Sequence, residues 1–138
     1  LQDSKDQTLS SIAEKAVKET KYHLRHSSEW VVRLGDGTEE SHNKIQDSLN
    51  TLYRYSHELF FVDGVDTILQ EKGIVPELDD IKTEYANTIT DVLEMATISL
   101  PMNNWKFEGG RIGRHSEHMG YLLAEMQYMQ RTYPNMEW

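Results

Sequence analysis

The side chains best suited to chemistry in this 138-residue sequence are its six histidines and the glutamates spaced around them. Carboxylates and imidazoles at helical spacing make di-metal carboxylate centres. Those centres take a Glu from each of two helices and a Glu-x-x-His pair from two others, because residues i and i+3 project to the same side. One such pair occurs, Glu39–His42. This composition yields about 0.6 such pairs by chance, and the pair falls in the first turn of its expected helix, away from a bundle centre. A better geometric stripe is Glu19, His23, His26 and Trp30, whose steps of four, three and four keep one helix face. Glu19 and His23 could bind one metal through a neutral imidazole. They equally suit the commoner i,i+4 acid–histidine hydrogen bond on a solvated or inter-subunit face.

Other clusters are weaker. His115-Ser116-Glu117-His118 is compact and opens a helix, and no matching ligand set accompanies it. Just before it, Gly109-Gly110-Arg111-Ile112-Gly113-Arg114 joins two arginines to a helix start, which reads as an anion cradle or as a loop paired with acidic neighbours. No strand precedes it, and it departs from the Gly-x-Gly-x-x-Gly and phosphate-loop patterns. Met119, Met126, Met129 and Met136 suit an adaptable core or interface. Neither a Gly-x-Ser-x-Gly elbow nor a His-Glu-x-x-His motif appears. The absence of cysteine removes disulfides, thiol nucleophiles, thiolate zinc sites and iron–sulfur ligation, and it suits a reducing cytosol.

Charge narrows the partners. Fourteen Lys and Arg against 23 Asp and Glu give a net charge of -9, which disfavours a nucleic-acid backbone. No apolar run approaches the ~20 residues of a membrane-spanning helix. No signal-peptide pattern opens the sequence, so a cytoplasmic location without membrane or nucleic-acid partners is expected. The chain starts at Leu1 rather than Met, which reads as a trimmed chain or a fragment.

The elements that must position these residues are helices. Ser4 and Gln7 have capping-box spacing, and Leu9, Ala13, Ala16, Thr20, Leu24, Ser27, Val31 and Leu34 recur at the helical period. A helix over 5–34 would be about 45 Å long, closed by a left-handed Gly35. Thr38 caps a second helix with the stripe Ile45, Leu49, Leu52, Ser56 and Leu59, ending near Phe61 or Val62 and antiparallel to the first. A short helix spans 65–70, stopped by Gly73 and Pro76. A third long helix runs over 77–99 with Leu78, Ile81, Tyr85, Ile89, Val92 and Ala96 inward. After a glycine-rich loop, Ser116 caps a last helix over 117–131, and Trp138 ends a short tail. No strand pattern, repeat or linker interrupts the chain. The expectation is one all-α helical domain over 1–138, with three or four long antiparallel helices. Its wide stripes, with Trp30, Phe60, Phe61 and Trp105 beyond them, call for a covering surface from the same chain or another subunit.

Two stretches of wording are more specific than the periodicity. One is Lys18-Glu19-Thr20-Lys21-Tyr22-His23-Leu24-Arg25, followed by Arg33-Leu34-Gly35-Asp36-Gly37-Thr38. The other is His115-Ser116-Glu117-His118, followed by Leu123-Ala124-Glu125-Met126-Gln127-Tyr128-Met129-Gln130-Arg131. In order and spacing the chain resembles the PaaC-type subunits of bacterial phenylacetyl-CoA epoxidase, across roughly the C-terminal half of that family's length. The resemblance implies a ferritin-like bundle whose first helices lie outside this chain. It implies a place in aerobic phenylacetate catabolism, in a monooxygenase complex that epoxidises the ring of the CoA thioester with O2. It also implies an oligomer whose partners are a PaaA-type di-iron catalytic subunit and the other subunits of the complex. Electrons would come from a separate reductase. This chain would be a structural subunit with a degenerate metal centre and no cofactor of its own, the iron residing in the partner.

At residue level the degenerate positions are Glu19, Tyr22 and His23. A working site wants Glu-x-x-His, yet Tyr22 stands at i+3 from Glu19 and His23 one residue later, a swing of about 100° around the helix. Arg111 and Arg114 are expected to meet an acidic partner patch or CoA phosphates. Met126, Tyr128, Met129 and Tyr133 are expected to form a contact surface. Two other readings remain: a stand-alone di-iron carboxylate oxidase or oxygenase, and an unrelated helical scaffold.

Overall fold

A computed structural model describes residues 1–102 and 105–137; the expected Trp138 tail lies outside them. Among the described residues the fold is all-α and ferritin-like in class, without strands. Its helices are α1 (Gln7–Gly35), α2 (Glu39–Leu52), α3 (Gly64–Glu71), α4 (Leu78–Met95), α5 (His118–Met126) and α6 (Tyr128–Thr132). A 3₁₀ helix over Tyr53–Phe60 continues α2. The chain forms two compact units, Leu1–Lys106 and the segment from Phe107 onward. In the first, α1 packs on α2 and on α4.

Helix α1 starts two residues later than the Ser4 cap implies. The Asp6 carboxylate accepts from the Thr8 and Leu9 amides, while Ser4 Oγ donates to the Ile74 carbonyl at 2.6 Å. An ionised cap satisfies two orphan amides near the positive helix end, so Asp6 outcompetes the serine. The other end is also corrected. Gly35 is the last helical residue rather than a left-handed terminator, and Asp36 closes the helix by donating to Val32 O. Gly35 is buried because α4 passes directly over it. A Cβ added there would clash with the Ala96 carbonyl oxygen and sit 2.8 Å from the Ala96 Cβ.

That crossing holds the core. Leu93, Ala96 and Ile98 are buried, with Val31, Val32, Ile45, Leu49 and Ile89 packed around them. Helix α4 ends at Met95 rather than Ser99. The Thr97 amide bonds Glu94 O and the Ile98 amide bonds Leu93 O, which is the Schellman pattern, with Ile98 folded onto Leu93. Thr97 occupies the left-handed position normally given to glycine, at φ 57°. Its Oγ1 reaches the Gly35 carbonyl at 3.4 Å, and His42 Nδ1 donates to the same oxygen at 2.7 Å.

The buried face of α1 is rotated from the expected stripe. Ser10, Ala13, Val17, Ser28, Val31 and Val32 are half-buried, whereas Leu9, Leu24 and Leu34 are exposed and residues 18–27 are exposed throughout. The two faces differ by about one residue because the Gly35–Ala96 approach, absent from any hydrophobicity pattern, fixes the rotation of the helix.

Thr38 caps α2 by accepting from the Ser41 amide. The α-helical winding stops at Leu52, short of Phe61, and tightens into the 3₁₀ helix, where Ser56 Oγ donates back to Tyr53 O. The Asp63–Asp66 capping box starts α3, and Gly73 at φ 68° follows its end. In the second unit the expected single helix is two, broken at Gln127 (φ -98°, ψ 0°). Neither proline nor glycine accounts for that break. Among the described residues no helix is long and apolar enough to cross a membrane.

Candidate functional site

The polar stripe of α1 is assembled on the uncovered middle of the helix. His23 Nε2 stands 3.5 Å from Glu19 Oε1, with both side chains more than half exposed. Tyr22 stacks on His26 with centroids 5.8 Å apart and planes at 20°. His26 meets Trp30 edge-on at 6.4 Å. Arg25 lies over the Tyr22 ring and Arg33 over Trp30. The structure thus makes Tyr22 a rung in an aromatic–cationic ladder.

Among the described residues, Glu19, Tyr22 and His23 do not by themselves make up a di-iron carboxylate centre. Such a centre needs carboxylates from several helices facing one another. Glu19 and His23 instead share one exposed helix face, and Tyr22 offers no imidazole at i+3. Among the described residues no group of three or more His, Asp and Glu is gathered as a metal site. His42 of the other sequence pair is half-buried, with its Nδ1 proton committed to Gly35 O, while Glu39 is exposed.

Arg111 lies in a 3₁₀ turn over Gly110–Ile112, held between Gly109 and Gly113, both left-handed at φ 105° and 90°. The Arg114 amide closes this loop on Gly109 O at 2.8 Å. Both arginines are exposed, but α5 begins only at His118, so its amides do not join them in one cradle. Met126 ends α5, and Tyr128 and Met129 open α6; all three are exposed, at 66%, 59% and 42%. That is side-chain chemistry suited to a contact surface.

A site that sequence reasoning missed lies in the first unit. Asn50, Tyr53, Arg54 and His57, from the end of α2 and the 3₁₀ helix, face Leu100, Pro101, Trp105 and Lys106 across a cavity of about 720 Å³. The Arg54 guanidinium lies 5.1 Å from the Tyr55 ring and 4.9 Å from Trp105. Its Nη2 donates to Tyr55 Oη, while its Nε is buried with no hydrogen-bond partner among the described residues. An unpaired buried donor costs about 1–3 kcal/mol, which the two stacked rings help to offset. The alternation Tyr53-Arg54-Tyr55 was the available signal. Its counterpart, Trp105, is some fifty residues away, and no local pattern links them.

Behind Tyr53 a narrower apolar groove of about 310 Å³ runs between Val31, Leu49, Tyr85, Ile89 and Leu93. Burial pushes the Tyr53 phenol above its ordinary 10.0, and the neighbouring Tyr85 phenol adds to the shift. The folded chain therefore holds that proton more tightly than the unfolded chain. The associated stability is complete below pH 10.0 and is lost as pH rises through the higher folded value. Urea midpoints at about pH 8 and about pH 11 should show a larger alkaline loss for the wild type than for Tyr53→Phe. Equal losses would mean that this phenol is solvated.

Comparison with known proteins identifies the class. The whole chain, residues 1–138, matches the family of phenylacetic acid catabolic proteins, and it belongs to that family. It is 40% identical over 138 residues to the C subunit of 1,2-phenylacetyl-CoA epoxidase from Escherichia coli (strain K12), an alignment covering 100% of this chain and 56% of the relative. The chain thus spans little more than half the length of that protein.

Proposed function

We propose that this chain serves as a non-catalytic structural subunit of a phenylacetyl-CoA epoxidase in aerobic phenylacetate catabolism, as a cytoplasmic component that binds and supports a PaaA-type di-iron catalytic subunit. The observation that carries this reading is the 40% identity to the C subunit of such an epoxidase, across the whole of the chain. The α1 sequence supports it: Tyr22 stands at i+3 from Glu19, where a Glu-x-x-His ligand pair would place an imidazole, and its ring stacks on His26. In this reading iron resides in the partner and this subunit holds no cofactor.

The chemistry left to this chain is recognition. The uncovered middle of α1 presents Tyr22, Arg25, Trp30 and Arg33, residue types that dominate binding energy at interfaces. Met126, Tyr128 and Met129 supply a second apolar surface that can adapt to a partner. Arg111 and Arg114 supply positive charge to an acidic partner patch or to the phosphates of a CoA thioester.

A pull-down with the di-iron subunit tests this role. The full-length protein should form a stable complex, and the double substitution Arg111→Ala with Arg114→Ala should weaken it or raise the KM of the assembled enzyme by about tenfold. No complex with the wild-type protein overturns the role. No change in either quantity for the double variant removes the arginines from it.

A further inference from the structure

We propose that the cavity between the 3₁₀ helix and the facing residues Leu100, Pro101, Trp105 and Lys106 binds a small organic anion with a planar ring, of the nucleoside phosphate class. Among the described residues its lining carries two permanent cations, Arg54 and Lys106, and no carboxylate, in a chain whose net charge is -9. Local charge of sign opposite to the whole molecule marks a place that attracts anions the rest of the surface repels. The walls beside those cations are flat and apolar: Tyr53, Trp105, Pro101 and Leu100. Aromatic faces of this kind stack on heterocyclic bases.

Size and polar groups select within the anions. At about 720 Å³ the cavity lies in the upper part of the range for small-molecule sites, so a lone phosphate or acetate would leave most of it filled with water. Asn50 and the Tyr53 hydroxyl add neutral hydrogen-bonding groups suited to a sugar. The Arg54 fork is held between the Tyr55 and Trp105 rings with its orientation set before any ligand arrives, which lowers the entropic cost of capturing phosphate oxygens. The site shares no residue with Arg111 and Arg114 and does not depend on the assembly role.

Titration of the full chain with ADP, adenosine and inorganic phosphate, read by calorimetry and tryptophan fluorescence, tests the assignment. ADP should bind at least about tenfold more tightly than either fragment, and weaken as salt rises from about 0.15 to about 0.5 M. Lys106→Gln should weaken ADP about fivefold with unchanged circular dichroism and melting temperature. Arg54→Lys, which keeps the charge and removes the stacked fork, should weaken it further. Trp105→Phe should abolish the fluorescence change while calorimetric binding persists. Three results overturn the proposal: ADP binding no tighter than phosphate, ADP binding indifferent to both Lys106→Gln and Arg54→Lys, and displacement of ADP by a glutamate-rich peptide at lower concentration than by ATP.

Discussion

Gly35→Ala is expected to destabilise the protein by about 3 kcal/mol. The added Cβ would clash with the Ala96 carbonyl oxygen and lie 2.8 Å from the Ala96 Cβ. Neither atom is the end of a flexible side chain. Ala96 is fully buried at the C-cap of α4, so α1 and α4 would have to separate. Separation would also strain the Gly35 carbonyl, which accepts from His42 and from Thr97. Urea unfolding measures the loss directly. Gly64→Ala is the internal control, because a Cβ there meets nothing within 4 Å. It should be neutral or stabilising by up to about 1 kcal/mol. A loss below about 1 kcal/mol for Gly35→Ala would mean that the helices do not cross at this point.

Ile98→Ala should cost about 2–4 kcal/mol. Ile98 is 6% exposed and folds back onto Leu93 across the helix terminus. Its truncation removes one of only three buried hydrophobic side chains among the described residues and leaves a cavity beside the Gly35–Ala96 contact. It also weakens the apolar contact that accompanies the Schellman bonds, so the end of α4 should fray. Ile98→Val should cost only about 1 kcal/mol, since it keeps most of the contact. The two values, with amide exchange at Ile98, separate loss of packing from loss of the helix terminus. Equal effects from the Val and Ala substitutions would contradict a packed Ile98.

The sequence was most readable where a local signal acts alone. Thr38 caps α2 as its type and place imply, Gly73 takes the left-handed turn after α3, and Leu78, Tyr85, Ile89, Val92 and Ala96 of the α4 stripe face inward at least in part. The signals failed where two parts of the chain compete for one outcome. Ser4 had the spacing of a cap, yet Asp6 caps α1, and Ser4 Oγ donates instead to the carbonyl of Ile74, seventy residues away. Gly35 looked like a terminator because helices often end that way, yet its function is to let Ala96 approach. The same approach rotates α1 away from its hydrophobic stripe. Thr97 shows the reverse case: a β-branched residue held left-handed by the Leu93–Ile98 contact, where local preference pointed to continued helix. The candidate sites follow this division. Glu19, Tyr22 and His23 were legible because they share one helix. The Arg54–Trp105 cavity was not, because its walls are joined only by the fold.

The middle of α1 is exposed in this chain. Over residues 18–27 no side chain is buried, and the aromatic–cationic ladder occupies part of that surface.

Elemental analysis of the purified full-length protein, alone and after mixing with a PaaA-type di-iron partner, tests the structural role most directly. The expected result is no stoichiometric iron in the protein alone and a stable complex on mixing, with iron only in the amount the partner brings. About two irons per chain in the protein alone, the complement of a di-iron carboxylate centre, would contradict that role and make this protein an oxidase or oxygenase in its own right.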